Sequence, residues 1–147
     1  MIHRQATAAD VDSIVEIAVA SVSINPMPVR IDRGAMRETA LSMIGQPQHF
    51  VWVTEREGKV VACVGACTQP SFWFQRQQCS VLLYFSLVPG AGLPLIREFA
   101  RWVKARAVIK VAVIELEPEV EPRLVEFFKR LGFTRESRNL TYIRGAV

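Results

Sequence analysis

The chain has 147 residues, half of them hydrophobic and 22% charged, which suits one domain with one substantial core and argues against two domains, a disordered chain or a collagen-like one. A formal net charge of +4 and a pI near 9.3 favour anionic partners without choosing among a nucleotide cofactor, nucleic acid and an acidic protein surface. Apolar runs such as VAVI and VLLYF fall far short of the roughly 18 residues that span a bilayer, and MIHRQATAAD lacks a signal-peptide core, so the expectation is a cytoplasmic protein with no membrane contact.

IHRQA reads as a first strand. In TAADVDSIVEIAVASV, Thr7 is placed to cap a helix starting near Ala8, and Asp10 sits where a carboxylate favours the positive helix end. Val11, Ile14, Ala18 and Val22 recur at helical spacing, and the two prolines of SINPMP end the helix in a loop. A second helix is predicted over 33–44, with Asp32 as its cap and Met36, Ala40 and Met43 on one side. HFVWVTEREGKVVACVGACTQ has the form of a hairpin about Gly58. CSVLLYFSLV is a long strand whose nearly continuous apolar character predicts burial on both faces and a central place in a sheet.

The stretch LVPGAGLPLIREFARW follows, two glycines meeting a helical pattern in which Leu95, Phe99, Trp102 and Val103 share a face. VIKVAVIELE, rich in β-branched residues, is the next strand, so strand, glycine turn, helix and strand make a right-handed crossover between parallel strands. A helix over 123–131, stopped by Gly132, precedes a closing hairpin through FTRESRNLTYIR. Cys63, Cys67 and Cys79 form no CxxC or CxxH pairing, which points to buried reduced thiols rather than disulfides or a metal site.

This order of elements resembles the GNAT family of acyl-CoA-dependent N-acetyltransferases across nearly the whole chain, 1–147 as a single domain. Its best local pieces are SLVPGAGLPLIREFARW, similar to a compressed form of the family's pyrophosphate loop, and VEFFKRLGF, similar to its fourth-helix ending. The resemblance implies an α/β fold with a mixed, mostly antiparallel sheet of six or seven strands, about four flanking helices, and strands 4 and 5 parallel and splayed at Val88. It implies acetyl-CoA as cofactor and a primary amine, on a small molecule or a protein, as acceptor.

Glycines let backbone approach an anion, and the first amides of a helix lack internal partners, so Gly90, Ala91, Gly92 and Leu93 are the candidate phosphate donors, with Arg97 or Arg101 beside them. The alternative is a plain tight turn. By resemblance, Leu87 and Val88 would hold the pantetheine arm, and the Leu87 N–H would stabilise the thioester oxygen. The family's frequent glutamate base falls at Val81 or Leu82 and its frequent tyrosine acid at Phe128, none of which can transfer a proton. Tyr84, Glu115, Glu117 and His49 are the substitutes; a core tyrosine, solvated glutamates and a surface histidine are the plain alternatives.

Phe72, Trp73 and Phe74 cannot all enter one core from a strand. They line an acceptor groove or dock a partner protein, unless two of them pack inward. Basic residues are spread among acids along helices, which disfavours nucleic acid. Two functions therefore stand open for a monomer or homodimer: an N-acetyltransferase, or a GNAT-like protein without catalysis that binds a partner.

Overall fold

The structure, a computed structural model, describes residues 1–24, 26–27 and 30–144. Five strands, β1 (Ile2–Gln5), β2 (Phe50–Arg56), β3 (Lys59–Pro70), β4 (Gln77–Ser86) and β5 (Ile109–Val113), form one sheet in the order β1-β2-β3-β4-β5. The first three pairings are antiparallel and β4 runs parallel to β5. The helices are α1 (Val11–Ile24), entered through a 3-10 turn at Ala8–Asp10, α2 (Arg33–Met43), α3 (Leu93–Lys104) and α4 (Pro122–Leu131). The mixed, mostly antiparallel sheet with four helices is the architecture that the element order predicts. Among the described residues the strand count is lower, five.

Local chemistry explains most boundaries. Glu57 and Gly58 both adopt positive φ, 52° and 77°, the conformation a two-residue hairpin needs to match the strand twist. The Asp32 side chain accepts from the Ala35 N–H at 2.9 Å and starts α2, and Gly132, at φ 114°, ends α4. The α1 helix runs on through Ser23 and Ile24, and parts of the proline loop lie outside the described residues.

Each face of the sheet carries its own apolar cluster. Ile14 and Ile17 of α1 pack with Val53 and Cys63, joined by Leu83 and Phe85. On the other face Leu95, Ile96 and Phe99 of α3 and Phe128 of α4 pack with Phe50, Ala62, Val64, Ala66 and Cys79. Burial drives the Cys63 thiol up to about 12 and raises that of Cys79, so both remain protonated packing groups.

Three expectations are corrected. β4 is not buried on both faces: among its residues only Cys79 is fully buried, and Leu82 is 58% exposed. The cause is β5, which pairs with β4 only from Gln77 to Ser80. The two strands therefore part after Ser80 and Val113, earlier than Val88. The closing hairpin is absent: residues 133–144 form no strand, and Leu140 is fully exposed. The run TRESRN between Phe133 and Leu140 has no apolar residue to bury on a sheet face, which leaves only a short apolar segment to hold a pair.

One irregularity in β4 matters for the site. Gly65 pairs with Leu83 but Ala66 pairs with Val81, so Leu82 is an extra residue, a β-bulge. Cys79 and Val81 face α3, and beyond the bulge Tyr84 faces α3 as well, whereas Leu83 and Phe85 face α1.

Candidate functional site

β4 delivers the chain into a turn, residues 87–92, that opens on the first turn of α3. The turn is held from several sides. The Leu87 N–H donates to the Val61 carbonyl at 2.8 Å, and the Ser86 hydroxyl donates to the Val88 carbonyl. The Ala91 N–H donates to the Val88 carbonyl at 3.2 Å, and the Leu93 N–H to the Gly90 carbonyl at 3.4 Å. Leu95 and Ile96 both donate to the Gly92 carbonyl, at 3.1 and 3.2 Å. Pro94 has no N–H. Of the four amides that the sequence offers to an anion, Ala91 and Leu93 are thus engaged. Those of Gly90 and Gly92 have no partner among the described residues, and neither does the N–H of Val88.

Each glycine has its own reason to be there. Gly90 holds φ at 78°, which side-chain-bearing residues rarely adopt. Gly92 has an ordinary φ of −88°, but a Cβ on it would lie 2.7 Å from Cε1 of Tyr84. The Tyr84 ring lies against the turn backbone and meets Phe128 edge to face at 6.2 Å. Burial raises the pKa of its hydroxyl, so at neutral pH Tyr84 is a proton donor and not a base. On the α3 surface Arg97 stacks over the Phe127 ring, 5.4 Å from its centre, and borders a shallow groove with Arg101, Lys104 and Leu131. Arg101 is paired with Glu98.

No family model matches the sequence, and no curated protein matches it. Solved structures do. A predicted acetyltransferase from Clostridium acetobutylicum, with acetyl-CoA, superposes with a TM-score of 0.74 at 14% identity, covering 97% of this chain and 95% of that one. An aminoglycoside acetyltransferase from an uncultured soil metagenomic sample, in complex with sisomicin, matches with a TM-score of 0.64 at 12% identity over 99% and 96% of the two chains. A transcriptional regulator from Bacillus halodurans matches with a TM-score of 0.69 at 14% identity over 96% and 99%.

The chain has the GNAT fold. It is a divergent version of it, since whole-length superposition coexists with identity as low as 10%.

Within that GNAT fold the two sequence positions singled out for proton transfer hold no titratable group. Leu82 is the exposed bulge residue, and Phe128 is 2% exposed in the core, in contact with Phe127 and Phe133. Glu115 and Glu117 lie beyond the end of β5 and are exposed. His49 is not brought to the turn. Its Nδ1 accepts from the Thr68 N–H at 3.1 Å, about six residues along the sheet from Ala62, the level of the turn, or roughly 20 Å.

The aromatic run is also remote. Phe72, Trp73 and Phe74 are 89%, 78% and 49% exposed, so none packs inward. Phe72 and Trp73 meet edge to face at 4.9 Å in the loop before β4, while the glycine turn follows β4. Ten residues of strand separate them, roughly 30 Å, which is too far for one small acceptor to touch both. Trp73→Ser is accordingly expected to leave the affinity of any ligand seated at the turn within about twofold, measured by calorimetry.

Two residues escape the sequence reading. Thr54, fully buried, donates its hydroxyl to the Ala91 carbonyl at 2.8 Å, and His3 Nδ1 lies 2.9 Å from the same hydroxyl. A signal was present: Phe50, Trp52 and Thr54 share one strand phase, and a threonine in line with two core aromatics needs a buried partner. Among the described residues no group of three or more His, Cys, Asp or Glu is placed to hold a metal ion, and no helix is long and apolar enough to cross a membrane.

Proposed function

We propose that the protein is an acetyl-CoA-dependent N-acetyltransferase acting on a primary amine of a small polar acceptor. The observation that carries this is the pair of unpartnered amides, Gly90 and Gly92, where β4 has parted from β5 and α3 begins. A pyrophosphate needs free N–H groups at a helix start and bare backbone to approach, and both conditions are met. The fit is narrower than four amides would give, and Arg97 adds positive charge one turn into α3.

Bound acetyl-CoA would supply an acyl group activated as a thioester. Because the Leu87 N–H is taken by Val61, the free Val88 N–H is the donor assigned to the thioester oxygen as it gains negative charge, and Leu87 and Val88 hold the pantetheine arm through their backbones. Tyr84, kept protonated by burial, donates to the departing thiolate. With apolar Leu82 on β4, the ammonium proton of the acceptor leaves through water, with Glu115 as the carboxylate that receives it. The solved aminoglycoside acetyltransferase in complex with sisomicin supports a polyamine of that kind as acceptor.

Calorimetry with acetyl-CoA, followed by thiol release against aminoglycosides, simple amines and peptides, tests the proposal. Tyr84→Phe is expected to lower turnover about tenfold with affinity for acetyl-CoA unchanged. No binding at millimolar acetyl-CoA would sink the reading. A second function, a GNAT-fold protein that docks a partner without catalysis, is favoured by Leu82, Phe128 and the exposed aromatic loop. It predicts no thiol release with any acceptor, and a partner from host extract that Trp73→Ser releases.

A further inference from the structure

The hydroxyl of Thr54 acts on the turn through one peptide plane. It donates to the carbonyl of Ala91, and that carbonyl shares its planar peptide unit with the N–H of Gly92. In a trans peptide the C=O and N–H point opposite ways, and the described chain has no cis bond. Fixing the Ala91 oxygen toward Thr54 therefore aims the Gly92 N–H away from the sheet. Gly92 is itself buried, and an unpartnered buried amide calls for an acceptor.

His3 completes the arrangement. A threonine hydroxyl has one proton, and here the carbonyl of Ala91 takes it, so the hydroxyl can only accept from His3. That requires a proton on His3 Nδ1, which leaves Nε2 of the neutral ring as the acceptor facing elsewhere. The register delivers the pair directly: His3 of β1 lies opposite Thr54 of β2.

We propose that Thr54, oriented by His3, is a positioning residue for the anion site, holding the Ala91–Gly92 peptide so that the Gly92 N–H is presented to the cofactor's pyrophosphate. This rests on the acetyl-CoA reading above and adds to it two residues outside the turn.

The test uses the full chain. Thr54→Val keeps the branched shape and removes the hydroxyl, and Thr54→Ser restores the hydroxyl. Affinity for CoA by calorimetry is expected to weaken about tenfold in Thr54→Val and to lie within about twofold of the unaltered protein in Thr54→Ser. The amide resonance of Gly92 should move on CoA addition in the unaltered protein, and move less in Thr54→Val. A folded Thr54→Val that binds CoA as well as the unaltered protein overturns the proposal. Should that variant fail to fold, imidazole nitrogen shifts of the unaltered protein decide, at a pH where the ring is neutral: a proton on His3 Nδ1 is expected, and one on Nε2 overturns the proposal. Absence of any CoA binding by the unaltered protein removes the acetyl-CoA reading itself, whereas normal binding with an unaffected Thr54→Val removes only the role of Thr54.

Discussion

Gly92→Ala is expected to weaken CoA binding about a hundredfold and to destabilise the fold. The backbone of Gly92 is no obstacle, since its φ of −88° suits alanine. On that ground alone the substitution would stabilise by about 0.4–1 kcal/mol, through a less flexible unfolded chain. The opposing effect is larger. A methyl 2.7 Å from Tyr84 Cε1 must push the ring or the start of α3 aside, and overpacking of this kind costs about 1–3 kcal/mol. Either movement displaces the Gly92 amide. Urea unfolding and calorimetry check both parts, and in a Tyr84→Ala background, itself destabilised by loss of the ring, Gly92→Ala should cost less than in the unaltered chain because the clash is gone. A Gly92→Ala protein that is more stable and binds CoA normally would show that the ring is not fixed against the turn.

Asp10→Ala is expected to cost about 2–3 kcal/mol, and Asp10→Asn somewhat less. The Asp10 carboxylate is 8% exposed and accepts from both ends of the Arg4 guanidinium, at 2.8 and 2.9 Å, and from the Thr7 N–H at 2.8 Å. One group thereby ties β1 to the start of α1, and Arg4 reaches on to Glu55 of β2 at 3.2 Å. The hydrogen bonds from Arg4, opposed by burial and aided by Thr7, hold the Asp10 pKa below its ordinary value. The sign for stability follows from that direction. The folded state prefers the ionised form, so the contribution is complete above the unfolded value of about 3.9 and is lost as pH falls through the lower folded value. Denaturation curves across the acid range should therefore show a steeper loss of stability in the unaltered protein than in Asp10→Asn. Parallel curves would assign the tie no electrostatic part.

Helices and the crossover were legible because their signals are local: Asp32 caps α2, Gly132 stops α4, and the glycine turn between two apolar runs forces a crossover. The failures come from long-range pairing. Nothing within VIKVAVIELE marks where its partner stops, so the parting after Ser80 and the exposure of Leu82 depend on β5 being short. The closing hairpin was read from a few apolar residues whose pairing the sheet does not provide. At the site, residue types indicated a turn able to approach an anion, but which amides are free is a matter of hydrogen bonds. Val61, Val88 and Gly90 absorb the donors of Leu87, Ala91 and Leu93 through their carbonyls, and side chains carry no trace of that. Thr54 was missed for a similar reason, since its partner Ala91 is 37 residues away and offers only backbone.

The extra residue in β4 also restricts how this chain can change length. Removing Leu82 would restore plain alternation without turning any later side chain over: Leu83 would follow Val81 in its present place opposite Gly65, and Tyr84 would keep the α3 face. The ring would stay beside Gly92. Removing Leu82 and Leu83 together would instead bring Tyr84 to the place of Leu83, on the α1 face, and take its ring away from the glycine turn. Related chains, natural or engineered, should therefore keep or lose the single bulge residue between Val81 and Tyr84 with the same ring against the turn, and a two-residue loss there should coincide with a different side chain lying against the glycine turn.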